Sequence, residues 1–332
     1  MPGLDRSPLA AQDLSALAGL LDRRVVAIDV GSRDGVREAW RALKPNALLV
    51  GFDPDPQECA RLNAAAGDPE HERYEPFALG ARPGQAVLNL TRDPQSSSLY
   101  PPNPATLARY PELWRHQPVG TEPVELTTID AWASGAGVGS IDALKVDVQG
   151  AELDVLRGGQ TMLGGARIVE AEVEFQELYS GQPLFCDVVS FMREQGFELW
   201  RLRELHYCGL SPAGRGEPVF GRGDYVERTR LGGQLAWGNA VFVRSELAQS
   251  GVPADWQTRT RDACLAAVFG FPELVELNLA EALAAADEPA RGPLEQALRA
   301  SRRRGRSRRL EDLLWRAPAH VRGFVGARVL RR

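Results

Sequence analysis

The chain has 332 residues, 44% of them apolar and 25% charged, with four cysteines and a formal net charge of −5. This composition excludes wholesale disorder, and no run approaches the roughly 18 apolar residues that a membrane span needs. Cys59, Cys186, Cys208 and Cys264 are far apart and form no C-x-x-C, which excludes a zinc ribbon or a disulfide framework and suits the reduced thiols of a cytoplasmic protein.

The length suits two domains or one large α/β domain with additions. Residues 1–22 carry Asp5 and Asp13 and lack a basic start before an apolar core, so they read as a helical lead-in and not a secretory signal. The run Val25–Val30 (VVAIDV), closed by Gly31, predicts a strand buried on both faces. Asp34 to Leu43 has helical spacing and ends at Pro45. ALLVGFDP (47–54) predicts a second strand, QECARLNAAAG (57–67) a helix, and YEPFALG (74–80) a third strand. Strand, helix, strand, helix, strand argues for a doubly wound parallel sheet.

QAVLNLTRD (85–93) reads as an accessory strand. The proline-rich stretch Asp93–Pro123 is too long for an ordinary connection and predicts a functional loop. The pattern resumes with VELTTIDAW (124–132). Next come the strand DALKVDVQG (142–150) with its helix AELDVLRGG, the strand RIVEAEVEF (167–175) and the helix CDVVSFMREQG (186–196). FELWRLREL (197–205) and GNAVFVR (238–244), separated by a Gly-rich excursion (209–233), predict a final antiparallel pair. Seven sheet strands result. Residues 246–300 read as a helical annex broken by Pro272 and Pro289, and 301–332 as a basic tail.

Chemistry concentrates at three strand ends. In Asp29-Val-Gly-Ser-Arg-Asp-Gly35, Gly31 and Gly35 allow a ligand close to the backbone, at the place where doubly wound folds bind ligands. The glycine spacing does not match G-x-G-x-x-G, and an acid at Asp29 would repel a pyrophosphate. It suits a cationic ligand such as S-adenosylmethionine. Asp53, about 20 residues beyond the glycine turn, stands where a carboxylate accepts ribose hydroxyls. Asp147 ends the strand ALKV, where the reactive end of a ligand would lie, with Gly150 and Glu152 opening the next helix.

The segments AIDVGSRDG, VGFDPDP, FALG, TTID, ALKVDVQGAELDVLRGG, VEAEVEFQELYSGQPLF, FMREQGFELWRL and GNAVFVR, in this order over residues 23–245, resemble the FkbM-type family of S-adenosylmethionine-dependent methyltransferases. The resemblance implies a class I, Rossmann-like fold. It also implies O-methylation of a hydroxyl on a sugar, polysaccharide, glycolipid or natural product. On that basis Asp29, Gly31, Ser32, Arg33 and Gly35 form the cofactor loop. Asp53 holds the ribose, Ala78 and Leu79 flank the adenine, and Asp147 lies near the methyl group. Two departures stand out. Gln149 occupies a place where many relatives have Glu, and Asn239 one where Asp is expected; each removes a potential base or metal ligand. They support the alternative of a catalytically degenerate, cofactor-binding scaffold. A nicotinamide-dependent oxidoreductase is disfavoured by the missing glycine fingerprint.

Methyl transfer needs alignment, which contributes about 7–11 kcal/mol, and a base, which adds about 10²–10⁴-fold. Candidate bases are Asp147, Glu172, Glu174 and His206. The period of two places Glu170, Glu172 and Glu174 on one face of their strand. Three buried carboxylates cannot all stay unpaired, so some must reach the pocket, and Glu174, nearest the carboxyl end, is preferred. A divalent ion held by Asp147, Glu172 or Glu174 is possible but not favoured, because no dense acidic cluster shows in the spacing. Ser96–Ser98 could line the acceptor pocket.

Residues 302–332 carry eleven Arg against Glu311 and Asp312, making this stretch +9 and the rest of the chain −14. The acidic body argues against nucleic acid as a partner. The basic stretch, with Leu310, Trp315, Val321, Phe324 and Val329 among its Arg residues, could lie on the inner face of an anionic membrane.

Overall fold

A computed structural model describes residues 7–44, 46–209 and 233–316, and for 306–316 the helical backbone alone. The Gly-rich segment 210–232, Pro45 and the apolar part of the tail beyond Arg316 lie outside the described residues. Two compact units emerge: Arg24–Trp40 with Ala47–Ala248, and Met1–Arg23 with Arg41–Asn46 and Gln249–Arg332.

In chain order the elements are α1 (Ala11–Ala18), β1 (Val25–Val30), β2 (Ala47–Phe52), α2 (Pro56–Ala66), β3 (Glu72–Glu75), β4 (Ala78–Leu79), β5 (Gly84–Thr91), α3 (Pro104–Arg109), β6 (Pro118–Thr127) and α4 (Ile129–Ala136). They continue with β7 (Ala143–Val146), α5 (Glu152–Arg157), α6 (Gln160–Leu163), β8 (Ile168–Glu174), α7 (Phe185–Glu194), β9 (Phe197–Cys208) and β10 (Gln234–Arg244). Helices α8 (Trp256–Val268), α9 (Pro272–Ala285) and α10 (Glu288–Arg316) close the described chain.

The larger unit is a seven-stranded sheet in the order β3-β2-β1-β7-β8-β10-β9. All neighbours are parallel except β10, which runs antiparallel to β8 and β9. This is the doubly wound α/β architecture that the sequence predicts. Ile28, Val50, Leu144, Val146, Val169 and Phe242 are fully buried at its centre, each side chain of this kind contributing about 1.5–3 kcal/mol. The chain winds outward from β1 to β3 and then crosses to β7. The switch point therefore falls between the carboxyl ends of β1 and β7, where such sheets open a ligand crevice.

Three expectations change. The strand predicted over 74–80 is divided. β3 ends at Glu75, Pro76 interrupts the ladder, and β4 joins β6 and β5 in a separate three-stranded sheet. The helix predicted over 34–43 is only a 3-10 turn at Glu38–Leu43. Gly35 has φ +98°, and the Arg37 N–H is drawn to Asp29 Oδ2 at 3.1 Å instead of entering a helical ladder. Within the predicted loop 93–123, Pro118–Pro123 is the first half of β6, preceded by a 3-10 turn (Pro94–Ser96), α3 and a second 3-10 turn (Pro111–His116).

The second unit is helical. Asp255 caps α8, accepting the Thr258 N–H at 2.7 Å, and Pro272 begins α9, where its missing N–H costs nothing. Buried Arg259 donates to Asn278 Oδ1 and to the carbonyls of Val252 and Gln249. Helix α10 passes through position 301 without a break, and Arg302 and Arg304 meet Glu276 and the Ser7 carbonyl. No helix among the described residues is long and apolar enough to cross a membrane.

Candidate active site

The switch point is closed on one side by the β1 turn. The N–H groups of Gly31 and Ser32 both donate to the Phe52 carbonyl, and Asp147 N–H donates to the Val30 carbonyl. A Cβ at Gly31 would stand 1.9 Å from the Asp147 carbonyl oxygen, at φ +82°. The turn and the end of β7 thus touch through backbone, an approach that only glycine permits. Ser32 is buried, with its hydroxyl on the Phe52 carbonyl at 3.3 Å. Arg33 reaches Asp55 at 3.3 Å and remains partly exposed.

Asp29 does not stand free. Lys145 Nζ lies 3.3 Å from its Oδ1 and 3.5 Å from Asp147 Oδ2. Burial raises the Asp29 carboxyl, and Lys145 and Arg37 oppose that rise. Burial works against the Lys145 charge, yet Asp29 and Asp147 together hold the ammonium above its ordinary range. Lys145 was missed at the sequence level, although a lone Lys in the otherwise apolar strand ALKV is a signal: it requires a buried acid on a neighbouring strand. In register it stands between Asp29 of β1 and Glu170 of β8.

Asp53 ends β2 with 4% of its surface exposed. Its Oδ1 accepts the Asp55 N–H at 2.8 Å, and burial raises its pKa. A buried carboxylate with one oxygen so engaged is suited to the paired hydroxyls of a ribose. Leu79 is buried in the main core and Ala78 is half-buried beside it, on β4.

The three glutamates of β8 divide by partner. Glu170 is met by Arg37 and by Arg203, the latter at 3.5 Å. Glu172, partly exposed, accepts the Gln149 amide at 2.6 Å, and the same amide nitrogen reaches Asp147 Oδ1 at 3.0 Å. Glu174 is 2% exposed. Its burial and the charges of Glu152 and Asp147 raise its pKa, with Gln182 opposing. Glu152 accepts the N–H groups of Val148 and Gly150, which ties the β7–α5 turn to itself. Burial pushes its carboxyl up to about 8.

A dense acidic group therefore exists after all. Asp147, Glu152 and Glu172 bring one oxygen each to within 4.8 Å of one another, from three elements whose separation hid the cluster in the sequence. Hard cations take such oxygens, but the Gln149 amide bridges two of these carboxylates and backbone N–H groups engage the third. A cation there would have to displace them.

The loop after β5 covers this edge. The single proton of the Tyr179 hydroxyl is shared between the Ser96 carbonyl at 2.8 Å and Gln149 Oε1 at 3.1 Å, and Ser98 Oγ donates to the Gln149 carbonyl at 2.5 Å. His206 stacks on Trp237 with ring centroids 4.6 Å apart, and Trp237 is in register with both His206 and Glu174. Burial lowers the His206 pKa. Buried His116 stands 6.0 Å from Tyr179 and 6.2 Å from Trp237, ring to ring. Tyr179 falls within the segment VEAEVEFQELYSGQPLF and His116 ends the 3-10 turn Pro111–His116, but no periodicity in either stretch assigns them a place beside β10.

The chain is similar to several known proteins. The curated 2-O-methyltransferase NoeI of Sinorhizobium fredii (strain NBRC 101917 / NGR234) is 34% identical over 166 residues, which covers 47% of this chain and 66% of that protein's length. Among solved structures, the magnesium protoporphyrin IX methyltransferase ChlM from Synechocystis PCC 6803, with bound SAM, is similar at a TM-score of 0.32 and 11% identity over 71% of this chain and 79% of that one. An rRNA methylase from Streptococcus thermophilus gives 0.32 and 10% over 70% and 94%. The family profile described as "Methyltransferase FkbM domain" matches residues 29–199, from the acid at the end of β1 into β9. With more than half of its length in that match, the chain belongs to the FkbM methyltransferase family.

Proposed function

We propose that the protein transfers a methyl group from S-adenosylmethionine to a hydroxyl of a sugar, polysaccharide, glycolipid or natural product. The observation that carries this reading is the glycine turn of β1 packed against the Asp147 backbone, with the buried Asp53 carboxylate on the next strand. Bound there, S-adenosylmethionine is the methyl-donating substrate and supplies an electrophilic carbon on a sulfonium. Gly31, Ser32, Arg33 and Gly35 shape its loop, and Asp29 with Lys145 holds that loop in place. Asp53 accepts the ribose hydroxyls, Ala78 and Leu79 border the adenine, and Asp147 lies by the reacting end. The acceptor enters from the edge lined by Glu174, Tyr179, Trp237 and His206, under the loop that carries Ser96 and Ser98. A hydroxyl acceptor agrees with the 2-O-methyltransferase similarity, and the acidic body disfavours nucleic acid. The basic stretch 302–332 would bring the protein to anionic membranes bearing a lipid-linked glycan; its deletion should then abolish pelleting with anionic liposomes.

Calorimetric titration of the full chain with S-adenosylmethionine and S-adenosylhomocysteine tests the reading. Both should bind, and Asp53→Ala should weaken both about 10–150-fold, the value of a charge-assisted hydrogen bond of about 1.5–3 kcal/mol. A folded wild type that binds neither would reject it.

A further inference from the structure

Two turns flank the switch point, one after β1 and one after β7, and the segment Asp93–Ser98 bridges them. Its backbone is fixed. Asp93 caps the 3-10 turn Pro94–Ser96, accepting the Gln95 N–H at 3.2 Å on its side chain and the Ser96 N–H at 2.8 Å on its carbonyl. Ser98 exchanges both of its backbone groups with Asn89 of β5.

The two ends of the bridge are held differently. On the β7 side the ties are buried: the Ser98 hydroxyl donates to the Gln149 carbonyl, and the Ser96 carbonyl accepts the Tyr179 hydroxyl. On the β1 side the tie is exposed: Gln95 Nε2 donates to Asp34 Oδ2 at 2.9 Å. Among the described residues no other hydrogen bond or ion pair joins this segment to the turn Gly31–Gly35. The turn closes through its backbone, with the Gly35 N–H on the Ser32 carbonyl at 2.7 Å, and Arg33 is turned to Asp55. The Asp34 side chain is therefore not needed for the shape of the turn. A buried donor or acceptor stripped of its partner bears the full cost of its desolvation, whereas an exposed pair exchanges its bond for bonds to water. The bridge opens at Gln95, and at Ser96 and Ser98 it stays.

We propose that the Gln95–Asp34 bond is a latch on the cofactor crevice, which opens to admit S-adenosylmethionine, closes over it and opens again to release S-adenosylhomocysteine. The inference rests on the methyl-transfer reading above, which puts both ligands at this switch point. The backbone of the bridge stays pinned, and the Gln95 side chain alone swings clear of Asp34. The same bond breaks for entry and for exit. The latch therefore scales association and dissociation together and leaves the affinity unchanged, since a ligand that favours neither state shifts neither.

Stopped-flow tryptophan fluorescence of the full chain with S-adenosylhomocysteine tests the latch. Gln95→Ala should raise the association and dissociation rates together by about 2–12-fold, the worth of one hydrogen bond, with Kd unmoved. Asp34→Ala should do the same. The double variant should do no more than either, because the two side chains share one bond. Gln95→Lys replaces the hydrogen bond with an ion pair to Asp34, so both rates should fall below those of Gln95→Ala, and about 1 M salt should remove that difference. Rates unmoved in Gln95→Ala, additive single variants, or Gln95→Lys matching Gln95→Ala at low salt would overturn the proposal. So would a Kd that weakens as fast as dissociation quickens, which would make Gln95 an ordinary ligand contact. In each of these cases the wild type still binds and the methyl-transfer reading stands. A folded wild type that binds neither S-adenosylhomocysteine nor S-adenosylmethionine would overturn both.

Discussion

Replacing Gly31 with Ala tests the packing on which the site depends. The added Cβ would lie 1.9 Å from the Asp147 carbonyl oxygen and 2.9 Å from its carbon, so β1 and β7 must separate at their carboxyl ends. The backbone at φ +82° costs roughly 1–2 kcal/mol for an L-residue, and forced overpacking adds about 1–3 kcal/mol. The sum, about 2–5 kcal/mol, corresponds to a fall in melting temperature of roughly 4–20 °C for a unit of this size. Gly137→Ala is the control. That glycine ends α4 in the left-handed region at φ 67°, ψ 24°, and its Cβ would meet nothing within 4 Å. It should show the backbone cost alone, about 1–2 kcal/mol. Urea unfolding followed by tryptophan fluorescence measures both. If Gly31→Ala were no less stable than Gly137→Ala, the contact between the turn and Asp147 would carry no energetic weight and the account of the switch point would be wrong.

Lys145→Met should cost about 3–5 kcal/mol in the same assay, because it leaves buried Asp29 without its cation; a loss below about 1 kcal/mol would show that Asp29 is folded uncharged. Stability should fall as pH rises from 7 to 8. The folded chain keeps the Glu152 proton up to about 8, whereas the unfolded chain has shed it near the ordinary glutamate value, so the folded state binds more protons over this interval. The slope should reach at most about 1.4 kcal/mol per pH unit for one group, and urea midpoints that hold steady or rise would refute it. Asp255→Ala should lose about 1 kcal/mol of cap energy at neutral pH. Because the Thr258 N–H lowers the Asp255 pKa, its stabilisation is complete above the ordinary aspartate range and lost as acid titrates the folded carboxyl. The gap between wild type and variant, read from urea midpoints, should therefore close at low pH, and a gap that widened there would contradict the assignment.

Local chemistry in the sequence placed three acids at the ends of strands, each within a single strand-to-turn unit. The acid of VVAIDV followed by Gly31, the acid after ALLVGF and the acid after ALKV all end neighbouring strands of the sheet, because a buried apolar run followed by a polar turn has few alternatives. What remained hidden depends on which strands become neighbours. Asp29 read as a group presented to a cationic ligand; the structure gives it to Lys145, which lies 116 positions away. Gln149 read as the loss of an acid, and its bridging role appears only once Glu172 stands beside it. Position in the strand singles out Glu174, at the end of β8, whereas burial, which depends on the neighbouring elements, leaves Glu172 the more exposed of the two. The divided third strand follows the same logic: Pro76 is visible, but the partner of Ala78–Leu79 is β6, nearly fifty residues on.

The loop after β5 is anchored close to its start, where Ser96 and Ser98 are bonded to Tyr179 and Gln149, and it returns to β6 at Pro118. Between these anchors the Thr106 hydroxyl donates to the Glu177 carbonyl, Tyr110 donates to Gln234, and Leu107, Tyr110 and Leu113 are buried against Leu178, Tyr179 and Ala236. A segment tied down along its whole length moves as one with the sheet edge beneath it, so its side chains are core as much as cover. Shortening the stretch would therefore remove packed side chains from over Tyr179 and Ala236 and not merely trim the surface.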